Sequence, residues 1–156
     1  MGDEMGEFIE EVQIRSFREE DLEAIVEIDR RVLGKSRLTY WKQKIDLSSN
    51  RFPLSCLVAE YEEKVIGFIL GEVSGWEFKV PDTVGWISTI GVDPDFQHRG
   101  VARKLSQEYI RNLKSIGITM VYTLVNWSDW DLLKFFRAMG FTREGEMINL
   151  ELNLTR

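Results

Sequence analysis

The segment QHRGVA, residues 97–102, follows an apolar run and a proline and combines several hydrogen-bond donors with a glycine. Gln97 and Arg99 could donate from their side chains, Gly100 would let a ligand approach the backbone, and Ala102 would leave a following helix start open. The first N–H groups of a helix lack intrahelical acceptors and lie at the positive end of its dipole. The segment therefore predicts an anion-binding turn that grips a diphosphate, although a plain turn requiring glycine would also explain Gly100.

The elements on either side of this turn support a junction between a strand and a helix. TVGWISTIGV is typical of a strand, and Asp93-Pro94 ends it because proline cannot donate to a ladder. From Gly100 to Gly117 the apolar residues recur at helical spacing, at Ala102, Leu105, Tyr109, Leu113 and Ile116.

The remaining elements follow from periodicity and turn residues. VQIRSF predicts a strand, DLEAIVEIDRRVLG and LTYWKQKIDL predict two helices, and PLSCLVAEY with VIGFILGEVSG predicts a hairpin. ITMVYTLV reads as a buried strand, Ser128 and Asp131 resemble a capping box that opens a helix over about 129–139, and FTREGEMINLELNL predicts a closing strand. This order, with helices covering a mixed sheet, predicts an α/β or α+β three-layer domain.

Composition limits the class of protein. A chain of 156 residues, 44% hydrophobic and 29% charged, fits one globular domain. Five of its 26 acidic residues lie in residues 1–11, which we expect to be a disordered tail, and the 21 that remain nearly balance 20 Lys and Arg. The net charge of -6 argues against a nucleic-acid partner, which would require a basic face.

Neither a membrane span nor a secretory leader is predicted. The apolar runs are far shorter than the roughly 20 residues that a membrane helix needs, and the N-terminus is acidic, so we expect a cytoplasmic protein. Cys56 is the only cysteine, which excludes a disulfide within the chain and argues against a thiolate metal cluster. We expect Cys56 to be buried and no metal to be bound.

Two segments carry a family resemblance. TIGVDPDFQHRGVARKL resembles motif A of the GNAT N-acetyltransferase superfamily, in which a strand and a short turn lead to Gln/Arg-x-x-Gly-x-Gly/Ala at the start of a long helix. VYTLVNWSDWDLLKFFRAMGF is similar to the next motif of that superfamily, and the order of elements extends the resemblance to about 12–154. It implies a GNAT-like domain over 12–156, with a mixed, mostly antiparallel central sheet and helices on both faces.

The resemblance also implies how acetyl-CoA would bind. The strand end would pair with the pantetheine like another strand, and the backbone N–H of Val92 would face the thioester carbonyl as an oxyanion donor. Gly91 would suit a bulge that approaches the ligand, and His98 would be a solvated residue of the phosphate turn. The implied contacts with coenzyme A are Ile90, Gly91, Val92, Gln97, His98, Arg99, Gly100, Val101 and Ala102.

Two positions depart from the family pattern. Phe136 stands where a Tyr usually protonates the leaving thiolate, and losing such an acid costs roughly 10² to 10⁴-fold in rate. Asp129 stands where an Asn usually contacts the pantetheine, and an ionised Asp only accepts hydrogen bonds, so Asn126 is an alternative. Both Asp129 and Phe136 are still expected at the coenzyme A site.

The motif does not identify the base that would deprotonate the acceptor amine. Trp86 stands where some members have Glu. Glu72 on the neighbouring predicted strand is the first candidate, with Ser88 and Thr89 ordering a relaying water. An exposed strand charge would explain Glu72 equally well.

The acceptor is predicted from weaker features. A basic-aromatic turn with Lys35, Arg37, Tyr40 and Trp41 could seat a carboxylate or a ring, or it could simply connect two helices. WISTIGV resembles the matching strand of protein N-terminal acetyltransferases, but REGEMINLE lacks the aromatic loop residue usual in those enzymes. We therefore expect a small-molecule amine, with a peptide N-terminus as the alternative and a non-catalytic acetyl-CoA sensor as a third interpretation.

The apolar segment MINLELNL would suit the edge of a homodimer.

Overall fold

The computed structural model describes residues 2–51, 53–75, 83–143, 145 and 148–155. The chain forms two compact units, Met1–Leu124 and Val125–Arg156. The first unit contains α1 (Gly2–Glu11), β1 (Gln13–Ser16), α2 (Leu22–Leu33), α3 (Leu38–Arg51), β2 (Cys56–Tyr61), β3 (Lys64–Gly75), β4 (Thr83–Val92), α4 (Val101–Ser115) and β5 (Val121–Thr123). The second unit contains α5 (Trp130–Ala138).

The sheet has five strands in the order β1-β2-β3-β4-β5. The first three pairings are antiparallel, and β4 and β5 are parallel. This pairing is short, because only Gly85–Ile87 of β4 lie beside Val121–Thr123 of β5. The mixed, mostly antiparallel sheet that the sequence predicted is confirmed.

Helices cover both faces of the sheet, as predicted. Side chains that alternate along β3 point to opposite faces, so Phe68 and Leu70 join the core under α2 and α3 with the fully buried Trp41. Glycines on the other face let α4 approach, since a Cβ on Gly71 would lie 2.0 Å from the Tyr109 hydroxyl oxygen. No helix in the described part of the chain is long and apolar enough to cross a membrane.

The N-terminal segment departs from the expectation. Residues 2–11 form helix α1 instead of the predicted disordered tail. Phe8 is only 4% exposed, and its ring lies 4.8 Å from that of Tyr61. The prediction gave weight to the acidic composition and not to the helical spacing of Met5, Phe8 and Ile9. The residues that bury Phe8 also lie far away in the sequence, so a local pattern does not indicate them.

The C-terminal strand prediction is wrong for the residues that the structure describes. Residues 141–143 and 148–155 contain neither helix nor strand. The side chains that the alternating pattern would have buried are 81–85% exposed, at Ile148, Leu150, Leu152 and Leu154. Alternation produces a strand only where a neighbouring strand supplies hydrogen-bond partners, and this segment has no such ladder. Residues 144, 146 and 147 lie outside the described part.

Candidate functional site

The end of β4 is fixed by a buried carboxylate. Asp93 is 3% exposed, accepts a hydrogen bond from the Asp95 N–H at 3.0 Å, and thereby caps the short turn Pro94–Phe96. Arg31 of α2 donates to the same carboxylate at 2.6 Å. The strand end is therefore anchored to a helix on one face of the sheet. The sequence analysis did not identify this pair, because 62 positions separate its members.

The N-terminus of α4 has the open geometry that an anion site needs. Gly100 is the N-cap, with a φ of 90° and an exposed surface, and none of the described side chains caps this helix end. The first α-helical bond of α4 runs from the Lys104 N–H to the Gly100 carbonyl, at 3.0 Å. The N–H groups of residues 101–103 precede that bond and thus have no i−4 acceptor. They form a set of donors at the positive end of a 15-residue helix.

The side chains of the turn contact the protein. Gln97 donates from Nε2 to the Val92 carbonyl at 3.1 Å. The Arg99 guanidinium lies 3.7 Å above the Phe8 ring. His98 is exposed and has a φ of 61°. Although the sequence suggested Gln97 and Arg99 as side-chain donors to a phosphate, in this conformation the backbone of α4 supplies the accessible donors.

One edge of β4 is free of strand pairing near the turn. The Asp93 N–H donates to the Ile66 carbonyl at 2.8 Å, and Gly91 lies opposite Phe68. Because bonded and non-bonded pairs alternate in an antiparallel ladder, the N–H groups of Ile90 and Val92 point away from β3. Pairing with β5 stops at Ile87, so within the described part of the first unit no strand lies beside this edge from Ser88 to Val92.

A β-bulge lies at Ser88 and not at Gly91. Leu70 lies opposite Thr89 and Gly71 opposite Ile87, so Ser88 is the extra residue on β4. The bulge predicted at Gly91 is therefore misplaced. Gly91 pairs regularly with Phe68, and a Cβ there would lie 2.6 Å from the Phe68 ring. A side chain at position 91 would collide with this ring, which explains why the residue there is glycine.

Glu72 lies beside the bulge, on the strand next to Ser88. It is opposite Trp86, one register step beyond the pair formed by Gly71 and Ile87. Its carboxylate is 46% exposed and lies 3.0 Å from the Lys44 ammonium of α3. Glu72 and the exposed Ser88 thus lie on adjacent strands, near the point where the free edge of β4 begins.

In the second unit, the two predicted site residues have local structural partners. Asp129 is the N-cap of α5 and accepts from the Leu132 N–H at 3.1 Å, so it caps the helix in place of the predicted Ser128 box. Phe136 is buried in an aromatic cluster, with ring-to-ring distances of 5.2 Å to Phe135 and 5.0 Å to Phe141. Asn126, the alternative to Asp129, accepts from the Ser128 N–H and hydroxyl.

The basic-aromatic turn before α3 is a structural network. Arg37 donates two hydrogen bonds to the buried Asp29, at 2.9 and 2.8 Å, and its guanidinium lies 4.3 Å from the Tyr40 ring centre. Trp41, which is fully buried, donates to Asp29 as well. Arg37 and Trp41 are therefore already engaged by Asp29, which favours the interpretation of this turn as a helix connection.

Comparison with known proteins agrees with the fold. A model of the acetyltransferase (GNAT) family matches residues 17–141. Mycothiol acetyltransferase of Thermomonospora curvata is 31% identical over 91 residues, which are 58% of this chain and 29% of that protein. The chain thus matches less than a third of the length of that relative.

Two further similarities cover more of the matched proteins. An acetyltransferase of Pectobacterium atrosepticum is 28% identical over 117 residues, or 73% of this chain and 76% of that protein. The solved structure of an aminoglycoside N-acetyltransferase in complex with CoA has a TM-score of 0.78 at 19% identity, covering 90% of this chain and 94% of that one, which shows a shared fold. Since the family model spans both the β4–α4 turn and helix α5, this chain belongs to the GNAT acetyltransferase family.

Proposed function

We propose that this protein transfers an acetyl group from acetyl-CoA to the primary amine of a small molecule by direct attack. The observation that carries the proposal is the meeting of two sets of backbone donors. The uncapped N–H groups at the start of α4 and the free edge of β4 are joined by a turn of eight residues, 93–100. One set suits a diphosphate and the other suits an extended amide chain.

Coenzyme A has both of these chemical parts. The backbone from Gln97 to Ala102 would hold the diphosphate, with the open Gly100 allowing close approach. Ile90, Gly91 and Val92 lie on the strand along which the pantetheine amides would run, and the N–H groups of Ile90 and Val92 face that side. The chemistry of these two sets of backbone groups therefore matches the two parts of the co-substrate.

The same edge would assist acetyl transfer electrostatically. Attack of a neutral amine on a thioester places negative charge on the carbonyl oxygen, and a fixed N–H donor stabilises that charge. We propose the Val92 N–H for this role, as the sequence analysis did. The Ile90 N–H is a second candidate, because it points in the same direction and lies farther from the diphosphate turn, on the side toward the bulge at Ser88.

Glu72 is proposed as the base that accepts the proton of the acceptor amine, with Ser88 positioning a water between them. Glu72→Gln is expected to lower kcat/KM about 10² to 10³-fold and to flatten the rising limb of the pH–rate profile, since a general base contributes on that scale. Lys44→Met is the matched control, because it removes the partner of Glu72 without removing the carboxylate. An unchanged profile for Glu72→Gln would eliminate Glu72 as the base.

The acceptor class has two supports. The predicted loop REGEMINLE has no aromatic residue of the kind that binds a peptide N-terminus in the resembling enzymes. In addition, the similar proteins include ones named for the acetylation of mycothiol and of aminoglycosides, which are small molecules. A peptide N-terminus remains the alternative acceptor.

A non-catalytic acetyl-CoA sensor is the second candidate function. Phe136 favours it, because a buried phenyl ring between two others supplies no proton to a leaving thiolate. Thiol release separates the two functions, since only a transferase liberates free coenzyme A in proportion to acceptor consumed.

The deciding experiment combines calorimetric titration of acetyl-CoA with measurement of thiol release against a panel of amines and short peptides. Binding together with amine-dependent release would support the transferase and identify its acceptor class. Binding without release across the panel would favour the sensor. Absence of binding would refute the proposal.

A further inference from the structure

Helix α1 packs directly against the turn that precedes α4. The Phe8 ring is stacked on that of Phe96, with centres 6.0 Å apart, and meets Tyr61 edge-on at 4.8 Å. Phe96 is the last residue of the short turn Pro94–Phe96, so the N-terminal helix touches the segment between β4 and the proposed diphosphate site. The burial of Phe8, at 4% exposure, shows that this contact closes part of the core.

Two cationic side chains of the turn and of α4 are also held by α1. The Arg99 guanidinium lies 3.7 Å from the centre of the Phe8 ring, a distance at which a cation is attracted to the ring face. Lys104 donates from Nζ to the Ile9 carbonyl at 2.7 Å and to the Val12 carbonyl. The Ile9 carbonyl lies in the last turn of α1 and Val12 follows the helix directly, so both are at the end where backbone acceptors lack helical donors and a positive charge is favourable.

The glycine of the turn lies against α1 as well. A Cβ on Gly100 would lie 3.5 Å from Cδ1 of Ile9, which is ordinary van der Waals contact. The backbone of the turn therefore has α1 on one side, while its N–H groups at the start of α4 remain without helical acceptors. His98 has a φ of 61°, which is strained for a residue with a side chain and persists where the surroundings enforce it, whereas Gly100 adopts its positive φ without steric cost.

We propose that Phe8 and Lys104 are positioning residues that act through α1 to hold the turn 97–103 in the conformation that binds the diphosphate of acetyl-CoA. This inference rests on the proposed function and extends it to a helix that lies outside the stretch matched by the family model, residues 17–141. Neither side chain is required to touch the co-substrate. Phe8 fixes Arg99 and Phe96, and Lys104 ties the first turn of α4 to the end of α1.

The expected effect is on affinity and not on the chemical step. If loosening α1 leaves the turn in its binding conformation about one tenth of the time, the apparent Kd for coenzyme A rises about tenfold. The KM for acetyl-CoA should rise by a similar factor, while kcat at saturating acetyl-CoA stays within about twofold. Hydrogen exchange at the Lys104 amide, which donates to Gly100, should accelerate in the free protein because this bond closes the turn.

The experiment compares Phe8→Leu and Lys104→Met with wild-type protein and with Met5→Ala. Phe8→Leu keeps an apolar side chain but removes the ring face, and Lys104→Met keeps the stem but removes the ammonium. Met5 is on the same helix and 55% exposed, so it controls for general effects on α1. Thermal unfolding verifies that each variant is folded at the assay temperature. Calorimetry with coenzyme A gives Kd, and exchange of the backbone amide at position 104, corrected for the intrinsic rate of the residue there, is followed without any ligand.

The expected result is weaker binding and lower protection of the residue-104 amide from exchange in both variants, with neither change in Met5→Ala. Wild-type affinity in folded Phe8→Leu and Lys104→Met would overturn the inference, as would an equal loss in Met5→Ala. If wild-type protein does not bind coenzyme A, the proposed function fails. In that case exchange of the residue-104 amide still decides whether α1 holds the turn, and unchanged protection in both variants would overturn the positioning role of α1 as well.

Discussion

At the scale of single residues, polar side chains that could do chemistry are often engaged in structure. Asp29 is 4% exposed and accepts hydrogen bonds from Arg37 and Trp41, so a cation and an indole that could have faced a substrate instead satisfy one buried carboxylate. A buried charge is stable only when it is paired in this way. The residue types alone did not distinguish these two roles, because both require the same donors.

The only cysteine allows a prediction about reactivity. Cys56 is 2% exposed, and burial, together with the nearby charge of Asp21, raises the pKa of its thiol to about 12. The thiolate is the reactive form, so native protein at pH 8 should release far less than one equivalent of chromophore from a disulfide reagent. Protein in denaturant, as the control, should release one equivalent.

Rapid reaction of the native thiol would contradict this prediction and would show that β2 opens locally. An unreactive Cys56 also means that thiol release in the transferase assay reports coenzyme A alone.

At the scale of elements, α4 has a left-handed glycine at each end. Gly100 precedes it with a φ of 90°, and Gly117 follows it with a φ of 85°. A side chain at either position costs roughly 1–2 kcal/mol because L-residues clash in that conformation. The two glycines are therefore matched in backbone geometry, but only Gly100 adjoins the uncapped donors.

Substitution of these two glycines tests the diphosphate turn. Gly100→Glu should weaken coenzyme A binding more than about tenfold, because it places bulk and negative charge beside the diphosphate. Gly117→Glu, the matched control, should lower the melting temperature by a comparable amount and leave the affinity near that of wild type. Calorimetry and thermal unfolding measure both quantities. Equal affinities for the two variants would count against the turn as the site.

At the scale of the whole molecule, one ion-pair network joins the neighbouring strands β1 and β2 to the segment that precedes α2. Arg15 of β1 donates two hydrogen bonds to Asp21, each 2.8 Å long, and one to Glu60 of β2 at 2.9 Å. Burial by itself raises the pKa of Asp21, but the hydrogen bonds from Arg15 and from the Arg18 N–H outweigh it and hold the net pKa below its usual value. The Asp21 side chain is 7% exposed, so solvent screens the pair only partly.

This lowered pKa predicts how stability depends on pH. A carboxyl group whose pKa is lower in the folded state contributes its stability fully above the unfolded pKa of about 3.9 and loses it as pH falls through the folded pKa. Asp21→Asn should therefore lower the free energy of unfolding by about 2 kcal/mol at pH 7, the scale of hydrogen bonds to a charged group. The difference from wild type should shrink as pH falls from about 4 toward 2.

Urea unfolding at several pH values checks this prediction. Glu23→Gln is the control, since Glu23 is an exposed acid on the neighbouring helix. A deficit for Asp21→Asn that stays constant down to pH 2 would show that its cause is packing and not ionisation.

The sequence by itself determined the features that depend on local interactions. It predicted the strand ending at Asp93-Pro94, the helix that starts at Gly100 and ends near Gly117, and the helix over 129–139, which the structure has at Trp130–Ala138. The restrictions imposed by proline, the left-handed conformation of glycine and helical periodicity each depend on a few neighbouring residues. A short stretch of sequence is therefore enough to predict where these elements begin and end. One such stretch contained motif A, on which much of the family resemblance depended.

Only the tertiary structure decided the features that depend on distant partners. Helix α1 is buried through Phe8 because Tyr61 and Phe96 lie beside it, and Gly91 is small because the Phe68 ring crosses it from the next strand. The bulge at Ser88 follows from the register of β3, and Leu150 and Leu152 are exposed in a described segment, 148–155, that forms no strand. The type of a side chain limits which groups it can bind, and the fold determines which of those groups lies within contact distance.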